Sequence, residues 1–312
     1  VQTWAPDTRP ARALDLPDAS LIVVDSLLAR HPDALRAVRE RTAATPLILL
    51  VHYLRCIDPH APDTDGVADE RATLDVVDGA VTTSRYVKQA LVGEGPPAER
   101  VRVVRPGLGE RYRGALPDRP GRGRPRMLTV ANLLPEKGLQ SFVDVLRALR
   151  DRPWTWTLVG DATLDPAYAA GLFRRLRATG LADRVTWTGP IAPEALRTRY
   201  DRADLFVLPS RFETCSLSTR EAMARGLPVV GRRVGGMPEN AGDAPVGALV
   251  PPDGPQPLRA ALRSLLTDPM ARAHRGQAAW RRSRDFPTWT EAAAQFRTAL
   301  ATLRTRAVGA AP

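Results

Sequence analysis

The chain has 312 residues, and 44% of them are hydrophobic, which is enough to bury two cores of ordinary size. No run comes near the roughly 18 consecutive apolar residues that a membrane-spanning helix needs, so at most peripheral membrane contact is expected. The net charge of +11 would favour a nucleic-acid partner, but basic and acidic residues alternate without interleaved aromatic residues. We therefore expect an arginine-rich, solvated surface and no nucleic-acid partner.

The cysteines and lysines are few. Cys56 and Cys215 stand far apart, without the spacing of a disulfide scaffold or a zinc site. The chain begins at Val1 and shows no signal-peptide pattern. These features indicate a cytoplasmic protein. Of the 45 basic residues only two are lysines, Lys88 and Lys137, so a lysine is an exception in this chain.

Short apolar runs alternate with helical stretches in the first part of the chain, which is the βαβα pattern of a parallel sheet. Helices are predicted from about Pro32, Val67 and Ser84, and the Ser84 side chain is well placed to cap the third of them. Strands are predicted at residues 21–24, 47–51, 77–83 and 101–104. Four strands are few for such a domain, so we expect residues 1–110 to form an N-terminal Rossmann-like domain that lacks its first strand and helix in this chain.

A segment rich in proline, glycine and arginine, residues 111–125, is predicted to be a linker. The alternation resumes in residues 126–285, which we interpret as a second doubly wound α/β domain with ligand contacts at the carboxyl ends of its strands. Its strands are predicted at 127–131, 155–159, 185–188, 205–208, 229–230 and 249–250. The remaining segment, 286–312, holds a helix from about 290 to 304 that we expect to pack back toward the first domain.

Two glutamates follow the predicted strand at 205–208. Glu213 lies in the loop after the strand, and Glu221 lies in the helix that comes next, so both can face a ligand at the edge of the sheet. The loop also opens the helix, where unpaired N–H groups and the positive end of the helix dipole attract anionic oxygens. Two glutamates with this spacing alone are usually surface charges, and the surrounding residues decide otherwise.

This segment resembles the signature of glycosyltransferase family 4, in which Pro-Ser precedes Glu-x7-Glu and the second glutamate begins Glu-Ala-Met/Leu-Ala-x-Gly-x-Pro-Val-Val. Here those elements are Pro209-Ser210, Glu213 and the run from Glu221 to Val230. The resemblance implies a bacterial-type, retaining, nucleotide-sugar-dependent transferase. It also implies the GT-B fold, in which two Rossmann-like doubly wound domains face each other across a cleft.

The resemblance implies roles for the residues of this segment. Glu221 would hold the donor ribose hydroxyls, because an ionised carboxylate can accept two vicinal hydroxyls at once. Glu213 would contact the transferred sugar and the diphosphate, together with the amides of the loop residues Thr214, Cys215, Ser216 and Leu217. The family loop usually reads Gly-x-Gly after the first glutamate, whereas this chain has Thr-Cys-Ser, and an unusual donor sugar would be accommodated there.

A second match runs from Leu128 to Gly138, a predicted strand followed by a loop that enters a helix. The family's common form is Gly-Arg-Leu-x-x-x-Lys-Gly, whose arginine and lysine neutralise the leaving diphosphate. Lys137 matches that lysine, whereas Asn132 replaces the arginine. We assign both residues to donor binding and Lys137 also to catalysis.

Other strand ends supply further candidates. His52 ends the strand at 47–51, and the family often has a histidine there that contacts the hydroxyls of the donor sugar, so we assign His52 to catalysis together with Lys137 and Glu213. Gly160 and Gly189 each follow a predicted strand, where the resemblance places the nucleotide base.

The resemblance implies transfer to an unidentified acceptor, a small molecule or a glycan or lipid, with no cofactor and no metal. Asp63-Thr-Asp65 is similar to the metal-binding Asp-x-Asp of the other glycosyltransferase fold, but it lies in a proline-rich loop and we interpret it as a solvated turn. Alternatives are a nucleotide-sugar epimerase or phosphorylase on the same fold, and a non-catalytic sugar-nucleotide-binding protein. A glycosidase that uses the two glutamates as acid and nucleophile is disfavoured by the surrounding phosphate-binding features.

Overall fold

A computed structural model describes residues 19–61, 65–119 and 123–309. They divide into two compact units, one made of the described residues of Val1–Arg105 and Ala292–Pro312, the other of Pro106–Glu291. Each unit contains a parallel sheet, so the prediction of two parallel-sheet α/β domains is confirmed. Asp63 and Thr64 of the predicted solvated turn lie outside the described residues.

The first unit holds a four-stranded parallel sheet in the order β1-β2-β3-β4. Its strands are β1 (Ile22–Asp25), β2 (Leu47–Val51), β3 (Gly79–Thr82) and β4 (Val101–Val103). Its helices are α1 (Pro32–Arg41), α2 (Asp65–Val76) and α3 (Arg85–Gly93).

Burial explains why the first unit forms these elements. Leu47, Ile48 and Leu49 are fully buried, as expected for a central parallel strand that is covered on both faces. The Ser84 hydroxyl accepts a hydrogen bond from the Val87 amide at 3.2 Å, which is the predicted cap of α3.

The last helix of the chain, α11, spans Trp289–Gly309. Its residues Ala299 and Leu303 are buried in one apolar cluster with Ile48 and Val81 of the first unit's sheet. The part of the helix from Ala292 onward therefore belongs to the first unit.

The second unit holds a six-stranded parallel sheet in the order β10-β9-β8-β5-β6-β7. Its strands are β5 (Arg126–Val130), β6 (Thr155–Val159), β7 (Val185–Trp187), β8 (Leu205–Leu208), β9 (Val229–Arg232) and β10 (Gly247–Val250). Its helices are α4 (Leu139–Arg147), α5 (Pro166–Ala178), α6 (Pro193–Arg202), α7 (Leu217–Ala224), α8 (Met237–Ala241), α9 (Gln256–Thr267) and α10 (Pro269–Ser283).

The order of strands in the second sheet reverses at β5, which pairs with β6 on one side and with β8 on the other. Val207 packs into the apolar core on one face of the sheet, whereas its neighbours Phe206 and Leu208 pack into the core on the other face. Because all pairs are parallel, the carboxyl ends of the strands lie at one edge, and ligands of such sheets bind where the strand order reverses. This edge carries the candidate site.

The described part of the predicted linker packs onto the second unit. Tyr112 is buried in its core, and the Arg119 guanidinium donates to the backbone carbonyls of Tyr200 and Ala203 at 3.3 and 2.8 Å. The division between the two units falls ahead of this segment, between Arg105 and Pro106.

Candidate active site

The site is built on strand β8, the loop that follows it and helix α7 of the second unit. β8 ends at Leu208, the loop carries Glu213, and Glu221 is the fifth residue of α7. Cys215 and Ser216 are buried in the loop, whereas Leu217 is exposed. The strand, loop and helix that the sequence predicts are therefore those of the structure.

Glu213 is bound by two side chains. The Lys137 ammonium donates to Glu213 Oε1 at 3.0 Å, and the Ser210 hydroxyl donates to the same oxygen at 2.7 Å. Glu213 is only 7% exposed, and a buried carboxylate is stable only when it is paired in this way. Both of these hydrogen bonds, from described residues, go to Oε1. The structure thus brings together two of the three residues that we assigned to catalysis.

Gly138 allows the Lys137 loop to approach the Glu213 loop closely. Its φ is +65°, a conformation that favours glycine, and a Cβ at this position would stand 2.4 Å from the Pro209 carbonyl oxygen. The backbones of the two loops therefore touch at a residue without a side chain, and the lysine before it reaches the glutamate.

Glu221 is held by a tyrosine. The Tyr200 hydroxyl on α6 lies 2.8 Å from Glu221 Oε2 and 3.2 Å from the Ser218 carbonyl oxygen. Burial raises the pKa of Glu221 to about 7, and the hydrogen bond from Tyr200 and the positive charge of Arg111 only partly oppose this rise. Burial, and then the Glu221 charge, hold the pKa of Tyr200 well above its usual value, so that its hydroxyl stays protonated.

Tyr200 is not among the residues predicted from the sequence, and neither are Tyr112 and Arg111 of the predicted linker, which interact with Tyr200 and Glu221. Tyr112 packs edge-on against the Tyr200 ring at 5.7 Å between centroids, and burial followed by the Glu221 charge raises the pKa of Tyr112 to about 12. Arg111 acts on Glu221 through its charge. Tyr200 lies 21 residues before Glu221 in a helix of charged residues, and only its aromatic character marks it as buried.

The loop between Glu213 and α7 has an unusual backbone. Ser216 has a φ of +59° and is the only residue other than glycine with a positive φ in the described segments of the chain. Its hydroxyl lies 2.7 Å from that of Thr219, one turn into the helix. The third residue of the Thr-Cys-Ser departure thus takes a conformation that glycine adopts more readily.

The chain crosses directly behind this loop at Gly235 and Gly236. The Gly236 amide donates to the Glu213 carbonyl at 2.8 Å, and a Cβ on Gly235 would stand 1.8 Å from the same carbonyl oxygen. The position of Glu213 therefore depends on the absence of a side chain at residue 235.

We expect Gly235→Ala to lower the free energy of unfolding by about 3 kcal/mol, because it adds a collision with backbone to the cost of a positive φ. Gly180→Ala is the matched control, since Gly180 has a φ of +66° and no atom near its added Cβ. The control should lose only the conformational cost of about 1 kcal/mol. Urea denaturation of both variants measures the difference, and equal losses would show that the close approach does not matter.

The three remaining donor-site candidates of the second unit, Asn132, Gly160 and Gly189, lie at the ends of neighbouring strands that are joined there by hydrogen bonds. Asn132 Oδ1 accepts from the Asp161 amide at 3.2 Å, and the Gly160 amide donates to the Gly189 carbonyl at 3.3 Å. A Cβ on Gly160 would stand 1.9 Å from the Ala131 carbonyl oxygen. The ends of β5, β6 and β7 thus form one continuous edge, in which Asn132 binds backbone where the family usually has an arginine.

His52 lies in the first unit, just after β2. Its Nε2 is 3.0 Å from Asp25 Oδ2, and its amide donates to the Ser26 hydroxyl at 3.1 Å. The His52 and Asp25 side chains are each about half exposed. Both residues stand at carboxyl ends of strands, as the sequence predicts for His52.

Two properties of the described segments bear on cofactors and membranes. In these segments no three histidine, cysteine, aspartate or glutamate side chains converge as metal ligands would. Nor do they contain a helix with the length and hydrophobicity to cross a membrane.

The Glycosyl transferases group 1 family model matches residues 124–268, which include Asn132, Lys137, Glu213 and Glu221. Over this segment the chain is similar to that family. The resemblance seen in the sequence is thereby confirmed for the part of the chain that carries the two glutamates.

Relatives and solved structures agree with this assignment. The chain is 35% identical over 161 residues to the D-inositol 3-phosphate glycosyltransferase of Corynebacterium diphtheriae, covering 51% of this chain and 37% of that protein. For the curated relatives matched at 28 to 35% identity, the chain spans between 37 and 65% of their length.

Sucrose-phosphate synthase from Thermosynechococcus elongatus has the same fold, with a TM-score of 0.76 at 23% identity over 92% of this chain and 74% of that one. Alr3699/HepE of Anabaena, solved in complex with UDP and glucose, gives a TM-score of 0.75 at 21% identity over 90% and 77% of the two chains. The GT-B fold predicted from the sequence is therefore confirmed.

Proposed function

We propose that this protein transfers a sugar from a nucleotide-diphosphate sugar to an acceptor hydroxyl and retains the anomeric configuration. The observation that carries the proposal is that each of the two glutamates is bound by a side chain of its own, Glu213 by Lys137 and Glu221 by Tyr200. One strand, loop and helix presents Glu213 beside an ammonium group and Glu221 beside a tyrosine hydroxyl, at the edge where such sheets bind ligands.

The chemistry of each group supports a role. Glu221, in its ionised form, would accept both ribose hydroxyls of the donor. Lys137 donates one of its three N–H groups to Glu213, and the other two could bind phosphate oxygens. Glu213 would contact the transferred sugar through Oε2, and the amides of Thr214 to Leu217 would bind the diphosphate at the start of α7.

In the proposed reaction the bond between the anomeric carbon and the diphosphate breaks while the acceptor oxygen attacks from the same face. The acceptor proton leaves with the nucleoside diphosphate. Negative charge grows on the leaving oxygen, and Lys137 and the loop amides stabilise it as fixed positive groups. His52 would contact hydroxyls of the transferred sugar, and Asn132, Gly160 and Gly189 would line the nucleotide side of the site.

The partners follow from the same chemistry. Alr3699/HepE was solved with UDP and glucose, which supports a nucleotide-diphosphate sugar as the donor of this chain. We propose that the reaction needs neither a metal nor another cofactor, because Lys137 and the loop amides supply the positive charge that stabilises the leaving diphosphate. The acceptor is a small molecule or a glycan or lipid. Cys56 and Cys215 are free thiols, as is usual in a reducing compartment, and we propose a cytoplasmic site of action. We also propose that no nucleic acid is a partner.

A thermal-shift screen of UDP-, GDP-, ADP- and TDP-sugars tests the proposal first. A donor at about 100 times its Kd should stabilise the protein by about 2.7 kcal/mol, a shift of several degrees in Tm. Incubation of that donor with candidate acceptors, followed by NMR of the product in EDTA, should show an unchanged anomeric configuration.

Other outcomes would replace the proposal. Binding without any product would indicate a non-catalytic sugar-nucleotide-binding protein, a donor with an altered sugar would indicate an epimerase, and release of a sugar phosphate would indicate a phosphorylase. An inverted product would contradict retention, and loss of activity in EDTA would contradict metal independence.

A further inference from the structure

Two buried polar side chains of the second unit take no part in the reaction proposed above. Arg220, on α7 directly before Glu221, is 2% exposed, and Asn240, on α8, is 1% exposed. Buried polar groups are costly unless they are hydrogen-bonded, so their partners show what they hold in place. Two of the partners of Asn240 lie in the loop that leads into α7.

The orientation of the Asn240 amide is fixed by chemistry. The Arg220 guanidinium can only donate, and its Nε lies 2.7 Å from Asn240 Oδ1. Asn240 Nδ2 therefore faces the other way, where it donates to the carbonyls of Cys215 at 2.6 Å and Ser216 at 3.3 Å. One side chain thus binds two successive carbonyls of the loop.

Arg220 is itself anchored away from the loop. Its NH1 donates to the Pro106 carbonyl at 2.6 Å, and its guanidinium lies 5.1 Å from the centre of the Phe286 ring. A planar group bound on several sides keeps one position. Arg220 therefore transmits a fixed orientation to Asn240.

The direction of these carbonyls determines the direction of the amides that follow them. In a planar trans peptide the C=O of one residue and the N–H of the next point in opposite directions. Asn240 draws the carbonyls of Cys215 and Ser216 to its side, so the N–H groups of Ser216 and Leu217 point to the other side. The bond from Gly236 to the Glu213 carbonyl does the same for the N–H of Thr214.

We propose that Asn240 is a positioning residue that turns the amides of Ser216 and Leu217 toward the diphosphate of the donor, and that Arg220 holds Asn240 in that orientation. The inference deepens the proposed function and rests on it. Successive amides that point to one side form a concave site for an anion, whereas a loop free to rotate would first have to be ordered. The strained φ of Ser216 is then the conformation that this orientation requires.

The experiment distinguishes the contribution of the diphosphate to binding affinity from that of the nucleoside. UDP, GDP, ADP and TDP are titrated into the wild-type protein, and the tightest of them is compared with its parent nucleoside. Asn240→Leu should weaken the nucleoside diphosphate by at least about tenfold, or 1.4 kcal/mol, because the amides lose their common direction. It should change nucleoside affinity less than about twofold, because Glu221 still binds the ribose.

Two further variants keep the test valid. Asn240→Asp keeps the bond from Arg220, so it should fold, but it cannot donate to the two carbonyls and should show the same selective loss. Thr129→Val is the control, because it breaks a buried hydrogen bond of 2.6 Å to the Val207 carbonyl in the same unit, away from the loop. It should lower stability without changing the ratio of the two affinities.

The outcomes are distinguishable. If the wild-type protein binds none of the four nucleoside diphosphates, the proposed function fails, and this inference fails with it. If the wild type binds one and both Asn240 variants keep the wild-type ratio of affinities, the proposed function stands and the role of Asn240 is refuted. Equal weakening of diphosphate and nucleoside would show a merely structural role, which would also refute it.

Discussion

Glu221→Gln is expected to abolish most of the affinity for the donor and, at the same time, to raise the thermal stability at pH 8. The carboxylate would accept two ribose hydroxyls, and hydrogen bonds to a charged group contribute about 1.5 to 3 kcal/mol each. Their loss should weaken donor binding by roughly a hundredfold or more. Calorimetry with the donor found by the thermal-shift screen measures this loss.

The gain in stability follows from the raised pKa of Glu221, which is about 7 in the folded protein against an ordinary value of 4.5. The folded state binds the proton more tightly than the unfolded state. Below pH 4.5 the carboxyl is unionised in both states, so its burial does not lower the free energy of unfolding through ionisation. The penalty for burying the ionisable group grows between pH 4.5 and 7 and is complete above 7, where it amounts to roughly 3 kcal/mol. Glutamine does not ionise, so the Tm of the variant should exceed that of the wild type by several degrees at pH 8 and by little at pH 5.

Donor affinity of the wild type should also depend on pH. Only the ionised carboxylate accepts both hydroxyls, so affinity should fall about tenfold per pH unit below pH 7, and Glu221→Gln should remove this dependence. Glu99→Gln is the control, because Glu99 is exposed in the first unit and its replacement changes the net charge equally. Unchanged donor affinity in Glu221→Gln, or a lower Tm at pH 8, would contradict the role of the residue.

Lys137→Met should reduce kcat by about a hundredfold to a thousandfold, because the ammonium would stabilise charge that grows on the leaving phosphate. The substitution also removes the positively charged partner of Glu213, which is buried and would keep its hydrogen bond from Ser210. An uncompensated buried charge is strongly destabilising, so the single variant should melt earlier than the wild type. The structure therefore predicts a loss of stability that the sequence alone did not indicate.

A second substitution separates these two effects. Lys137→Met combined with Glu213→Gln removes both charges, and it should recover most of the stability without recovering kcat. Lys88→Met is the matched control, since Lys88 is the other lysine of the chain and lies on α3 in the first unit. Steady-state kinetics and thermal melting of the three variants provide the measurements. Near-normal kcat in Lys137→Met would refute the proposed role of the ammonium.

Much of the fold could be predicted from local patterns. The apolar run 47–51 and the strands at 155–159 and 205–208 have the predicted bounds, and Ser84 caps its helix, because these features depend on neighbouring residues alone. β9 extends two residues beyond its prediction, to Arg232. An arginine gives no sign in the sequence that it belongs to a buried strand, so the predicted strand ends before the observed one.

The two glutamates could be found because they stand in one continuous segment with a known pattern. Their partners could not, since contacts across long sequence separations leave no local signal. Lys137 reaches Glu213 across 76 residues and Tyr200 reaches Glu221 across 21. Asn240 lies beyond the motif, and its function depends on the direction of its amide, which only the bond from Arg220 reveals.

A comparison of ribose and dideoxyribose shows most directly whether Glu221 binds the donor by its ribose hydroxyls. The best-bound nucleoside diphosphate and its 2′,3′-dideoxy analogue are titrated by calorimetry into the wild-type protein and into Glu221→Gln. Removal of the hydroxyls should weaken binding to the wild type by roughly a hundredfold and to the variant by less than about threefold. A dideoxy analogue that binds the wild-type protein as tightly as its parent would contradict this role of Glu221.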